Sequence, residues 1–176
     1  MAKKKPPYNQ EAAIRGALRR AFSRSPLVQE VMNESRREVA RFNKDGSRHK
    51  KNWVQRQCQV CNDWVSTSKM AVDHIIPVIS VEQGKQSWDE FIARLWCEKK
   101  NLQRICDTCH DKKTYEERIA RLLIKYTAEL EQLEKDLPKL DTKSAKKLLS
   151  KYTAKKKTIG LESVVQRALE LKNRLK

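Results

Sequence analysis

The sequence predicts an α+β protein: a small mixed core built around a four-cysteine metal site, set between mostly α-helical, basic arms. Three observations carry this expectation. Two C-x-x-C pairs, Cys58–Cys61 and Cys106–Cys109, bracket the centre of the 176-residue chain. Short β-prone runs lie between and beside the pairs, whereas apolar residues outside them recur at helical spacing. Charge is divided in the same way, since a formal net charge of +17 resides almost wholly in the flanks. The expected organisation is a basic helical N-terminal arm (1–50), a metal-bearing core (51–115) and a basic helical C-terminal tail (116–176).

The elements follow in chain order. Ile14, Ala17, Leu18, Ala21 and Phe22 form a helical stripe with Asn9 as a suitable cap. Ser25-Pro26 supplies a cap and a first-turn proline for a second helix running through Leu27, Val31, Met32 and Val39. Residues 43–51 read as a polar, basic loop containing His49, an exposed residue or phosphate contact rather than a metal ligand. Residues 65–68 and 71–76 read as strands, the second stopped at Pro77. Ser87-x-x-Glu90 is a capping box, and Trp88, Phe91, Ile92, Leu95 and Trp96 form a stripe expected in the core. Residues 102–105 form another strand, and the chain turns helical from about Cys109. Ile119, Leu123, Tyr126, Leu130, Leu133, Leu137 and Leu140 step by four and three, a coiled-coil-like seam stopped near Pro138. This seam is expected to fold against the tail itself, with a homodimer through residues 119–140 as the sharper alternative. Two further helices, 144–152 and 162–175, are parted by Lys155, Lys156, Lys157 and Gly160.

Cysteine usage points to metal. Two C-x-x-C pairs supply four thiolates, the donor set of a closed, tetrahedral structural zinc site. The chain carries five cysteines and no apolar run of membrane length, and its start, Met1-Ala2-Lys3-Lys4-Lys5, has no apolar segment behind it. A cytoplasmic, reduced protein without membrane association is expected, with Cys97 as a small buried hydrophobe.

The charge balance points to a polyphosphate partner. Residues 1–57 hold 15 Lys/Arg against 5 Asp/Glu, residues 58–114 hold 8 against 8, and residues 115–176 hold 16 against 9. Cationic flanks around a neutral centre suit DNA, whose phosphates give affinity through counterion release. Arg15, Arg19, Arg20, Arg48, Lys50 and Lys51 are the expected contacts.

Between the cysteine pairs lie Asp73-His74 and Asn101, and His110 follows Cys109 directly. Phosphodiester hydrolysis needs an activated water, neutralisation of the phosphate and help for the leaving alkoxide. A histidine can serve as the base, and a carboxylate with an imidazole can hold a divalent ion while leaving positions open. Val72-Asp73-His74-Ile75, then Asn101-Leu102-Gln103, then Cys106-x-x-Cys109-His110-x-x-Lys113-Thr114 resembles the zinc-containing branch of the HNH endonucleases. These are ββα-metal nucleases common in bacteriophages and mobile elements, and the resemblance covers residues 50–115. It implies a ββα-metal core with His74 as the general base. Asp73 and His110 would hold a catalytic divalent cation (Mg²⁺, Mn²⁺ or Ni²⁺), beside structural Zn²⁺ on Cys58, Cys61, Cys106 and Cys109. Asn101 is then the middle letter of the motif, ordering the loop between the strands. DNA products with 3′-hydroxyl and 5′-phosphate ends follow by the same resemblance, as does work alongside phage packaging proteins in a host cytoplasm. The chain departs from the family in residues 77–100, where many relatives have a short glycine-rich loop.

Two other classes stand beside this one. A non-catalytic zinc module that binds nucleic acid accounts for charge and cysteines but gives Asp73, His74 and His110 no task. An assembly protein using the 119–140 seam leaves the whole centre without one.

Overall fold

In the computed structural model, which describes residues 7–157 and 162–174, helix α1 (Gln10–Phe22) begins where the Asn9 side chain accepts a hydrogen bond from the Ala12 N–H. Only Leu18 and Phe22 of its apolar stripe turn inward, while Ile14 is 40% exposed. Helix α2 (Pro26–Asn33) has the expected Ser25 cap and first-turn proline but stops at Asn33. The helix expected to reach Val39 gives way to a strand, β1 (Arg37–Val39), which pairs antiparallel with β2 (Trp53–Gln57). Three residues cannot announce a strand by periodicity; their partner lies fourteen or more residues downstream, so the pairing decides.

Strand β3 (Trp64–Ser66) completes an antiparallel sheet in the order β1-β2-β3. A single 3₁₀ turn then leads into β4 (Met70–His74), which pairs antiparallel with β5 (Leu102–Cys106) from Met70↔Cys106 to His74↔Leu102. The residues between them include helix α3 (Trp88–Leu95), whose N-terminus is capped by Ser87 Oγ. Phe91 and Leu95 of its stripe are buried, but Ile92 and Trp96 are about two-fifths exposed, so the stripe is core on one side only. Helix α4 (Asp107–Asp136) follows β5 without a break. The result is mixed α+β, with two small antiparallel sheets.

Contacts divide the chain into two compact units, with the boundary after Thr114. The first has two cores. Phe22, Val31, Val78, Phe91, Leu95 and Leu102 form one, so α1, α2 and α3 are joined in it. Cys97 packs at its margin, half-buried. The other holds Cys58, Met70, Ile105 and Cys106.

Arg104 ties these layers together. Its guanidinium donates to Val31 O at 2.9 Å and pairs with Glu34 at 2.6 Å, linking β5 to α2. The Arg104 side chain is only 9% exposed, while Lys99 also pairs with Glu34. Arg104→Met therefore leaves Glu34 neutralised but strips the buried Val31 carbonyl of its donor. The expected loss is about 1–3 kcal/mol, read as a lower urea midpoint at unchanged slope.

In the second unit, α5 (Thr142–Lys157) and α6 (Glu162–Arg174) cover the seam. Tyr126, Leu130 and Leu137 share a core with Ala145, Leu149, Val164 and Ala168, and Ile119, Leu122 and Leu133 pack against it. The Tyr152 hydroxyl donates to Tyr126 O. Leu123 and Leu140, expected in the seam, are instead partly exposed. The basic start at residues 1–5 and the break at Gly160 lie outside the described residues. Among the described residues, no helix is long and apolar enough to cross a membrane.

Candidate functional site

The cysteines converge. Cys58 and Cys61 sit on the turn after β2, while Cys106 ends β5 and Cys109 opens α4. The turn closes through Asn62 N–H to Cys58 O and Cys58 N–H to Asp63 O, both at 2.9 Å. Asn62 takes a φ of 63°, a left-handed conformation that asparagine tolerates better than most residues. Gln59 N–H donates to Arg104 O, and the Gln59 side chain accepts from Arg104 N–H, which docks the turn on β5.

All four sulfurs lie within 4.8 Å of one another, and Cys61 Sγ is 3.9 Å from Cys106 Sγ. A tetrahedral zinc with bonds of about 2.3 Å separates its sulfurs by about 3.8 Å, so the set fits that ion. Backbone N–H groups of Val60 and Cys106 point at Cys58 Sγ. Burial opposes ionisation of Cys58, but the N–H groups of Cys61, Cys106 and Val60 outweigh it and bring the thiol down to about 6. At Cys61 the Asp63 N–H favours the thiolate, yet burial and the neighbouring sulfurs prevail and push the thiol up to about 12. Cys109 is raised by the Cys106 sulfur and by burial. Four adjacent thiols cannot all ionise unaided; a divalent cation removes the conflict.

The second cluster lies at the far end of the β4–β5 pair. His74 is 7% exposed, and its ring rests 5.0 Å from that of Phe22. Its Nε2 is 2.9 Å from Leu95 O. A carbonyl can only accept, so Nε2 carries the proton and Nδ1 is the lone-pair nitrogen in the neutral ring. Burial, above all, holds the imidazole below its ordinary range; the positive charges of Arg19 and Lys113 act the same way against the Leu95 carbonyl and Asp73.

Asp73 has different company. Lys113 Nζ lies 2.9 Å from Asp73 Oδ2 and also donates to His74 O at 3.0 Å. That oxygen is buried and accepts no well-aligned hydrogen bond, so the lysine serves it as an ion pair and lone-pair capacity remains for a cation. His110, half-buried, stands three residues before Lys113 on α4 and so neighbours it on the helix surface. Among the described residues, the cysteines are the one group of three or more His, Cys, Asp or Glu whose ligand atoms come that close; Asp73, His74 and His110 do not form another.

Asn101 clasps the end of the strand pair. Its backbone carbonyl accepts from Ile75 N–H and its Oδ1 from Ile76 N–H, both at 2.8 Å. The side chain thus holds the chain directly after His74.

The expected DNA contacts fall in two places. On α1, Arg15 pairs with Glu11, Arg19 lies 5.8 Å over the Phe91 ring, and Arg20 is exposed. Arg48, Lys50 and Lys51 line an open concavity of about 610 Å³ together with Glu38, His49, Asn52 and Val54. Sequence reasoning missed Lys113 as the partner of Asp73 and Arg104 as the internal anchor. The first had a signal: Lys113 is one helical turn beyond Cys109 and His110. The second had none, since nothing local distinguishes an inward arginine.

Comparison with family models, curated proteins and solved structures finds no match to this chain.

Proposed function

We propose that the chain is a metal-dependent endonuclease of the HNH type, encoded by a phage or mobile element, that hydrolyses DNA phosphodiester bonds. The observation carrying this is the arrangement at the end of β4. Its proton pinned on Leu95 O, His74 has Nδ1 as the acceptor, and it adjoins a buried carboxylate on a strand pair followed at once by the helix bearing His110.

In this reading His74 takes a proton from the attacking water at Nδ1, and burial keeps the ring neutral for that task. Asp73 and His110 would hold a divalent cation, which when bound supplies charge neutralisation at the phosphate and the leaving oxygen. Lys113 then acts as the resting partner of Asp73, and Arg19 adds positive charge on the His74 side. Asn101 orders the segment after His74. The cysteine site, loaded with zinc, locks β5 and the start of α4 together, so that these groups share one frame. Phe22 must yield for a phosphate to reach His74. Arg48, Lys50 and Lys51 supply phosphate affinity away from the reacting bond.

A second reading, a zinc-stabilised module that binds nucleic acid without cutting it, gains support from the burial of His74. The two separate on supercoiled plasmid. After mild chelation the protein should keep about one zinc per chain yet lose nicking, because two protein ligands hold an ion less firmly than four thiolates. Magnesium, manganese or nickel should restore it. A zinc-loaded, DNA-binding protein that nicks with none of these ions is the second reading's result.

A further inference from the structure

The β1-β2-β3 sheet has a face that the nuclease assignment leaves without a task. Alternation along the strands puts Arg37 and Val39, Trp53 and Gln55, and Trp64 on one side, in register as Arg37↔Gln55, Val39↔Trp53 and Gln57↔Trp64. The opposite side carries the Glu38↔Val54 pair, which borders the concavity of Arg48, Lys50 and Lys51, and Arg56, which is buried. On the outward side Trp53 is 51% exposed and Val39 beside it 36%. Each tryptophan has an arginine next to its ring: Arg37 lies 4.3 Å over Trp64, and Arg41 lies 5.8 Å from the centre of Trp53. Arg37 is also held in place by Gln55 Oε1 at 2.9 Å.

A single exposed ring is ordinary, but Trp53 adjoins exposed Val39 and an arginine on one face, with a second ring–arginine pair at Trp64. Residues 36–51 carry seven Lys/Arg against two Asp/Glu, and Arg37 and Arg41 of that run lie against the two rings. An anionic, flat-ringed occupant matches both features at once. Duplex DNA offers phosphates but keeps its base faces stacked inside, whereas an unpaired strand offers both.

We propose that this face binds unpaired nucleotides, with a base on Trp53, a second against the Arg37–Trp64 stack, and the phosphates beside Arg41. The site is separate from the His74 region and stands whether or not that region cleaves DNA. On the nuclease reading, it directs the protein to frayed, gapped or single-stranded substrates.

The test is fluorescence anisotropy on the full chain without added divalent ion, using labelled oligothymidylate and a duplex of the same length. Trp53→Ala should weaken oligothymidylate binding by about tenfold, the scale of one lost base stack, while duplex affinity stays at the parent value. Trp53→Phe should recover most of the loss. Val39→Glu, which sets a carboxylate beside Trp53 at an exposed position, should weaken the single strand in the same selective way. Zinc content equal to the parent's shows that each variant is folded. Unchanged oligothymidylate affinity in Trp53→Ala and Val39→Glu overturns it, as does an equal loss on single strand and duplex.

Discussion

Cys106→Ser should unfold the centre of the chain. Cys106 is buried, shares a core with Cys58, Met70 and Ile105, and accounts for one of the four sulfurs that fit a tetrahedral zinc. Structural zinc contributes about 10–16 kcal/mol of apparent binding energy in small metallo-domains, while whole domains are stable by only about 5–15 kcal/mol. Losing much of the first exceeds what the small cores of this unit can replace. The variant should lose bound zinc, its cooperative thermal transition and solubility together, seen by metal analysis and circular dichroism. Cys97→Ser is the control: Cys97 lies outside the cysteine cluster at the margin of another core, so zinc content should hold. A Cys106→Ser protein that melts like the parent without zinc removes the metal from the account of the fold.

The second large effect concerns chemistry rather than folding. His74→Ala removes the proposed base and should lower the plasmid cleavage rate by about 10²–10⁴-fold, the usual contribution of a positioned proton acceptor. It also removes the donor to the buried Leu95 carbonyl, so a stability loss of about 1–3 kcal/mol accompanies it. Two further measurements keep these effects apart. His74→Gln retains an N–H for Leu95 O but no base, and should be inactive yet more stable than the alanine variant. Added imidazole should restore part of the rate in His74→Ala, which a merely structural histidine does not allow. A folded, DNA-binding His74→Ala protein that cuts at the parent rate would falsify the role given to His74.

How far the fold could be read from sequence varies with the distance over which each feature is decided. Asn9, Ser25 and Ser87 cap helices as expected, because a cap involves an N–H only three residues away. Helical spacing alone carries the second helix to Val39, but Arg37–Val39 becomes a strand by pairing with Trp53–Gln55. The stripe at 88–96 has the helical period, yet only Phe91 and Leu95 of it are buried, since helical spacing names a face without saying how much of it is covered. For the seam, the stepping of apolar residues is local, but whether α5 and α6 or a second chain covers it is not.

By itself the sequence determined the elements whose chemistry is local: the helix starts, the cysteine turn, the donor set for zinc and the partition of charge. It also marked Asp73, His74 and His110 as residues to which a merely nucleic-acid-binding zinc module gives no task. Only the tertiary structure decided their surroundings. The Leu95 carbonyl that selects the tautomer of His74 comes from twenty-one residues away, and the Lys113 ammonium beside Asp73 from the helix beyond β5. Arg104 turned out to be an internal anchor and Trp53 an exposed ring, the reverse of what polarity suggests for each. Burial and ion pairing are set by chain segments meeting in space, so side chains with the same local sequence signals end in opposite environments.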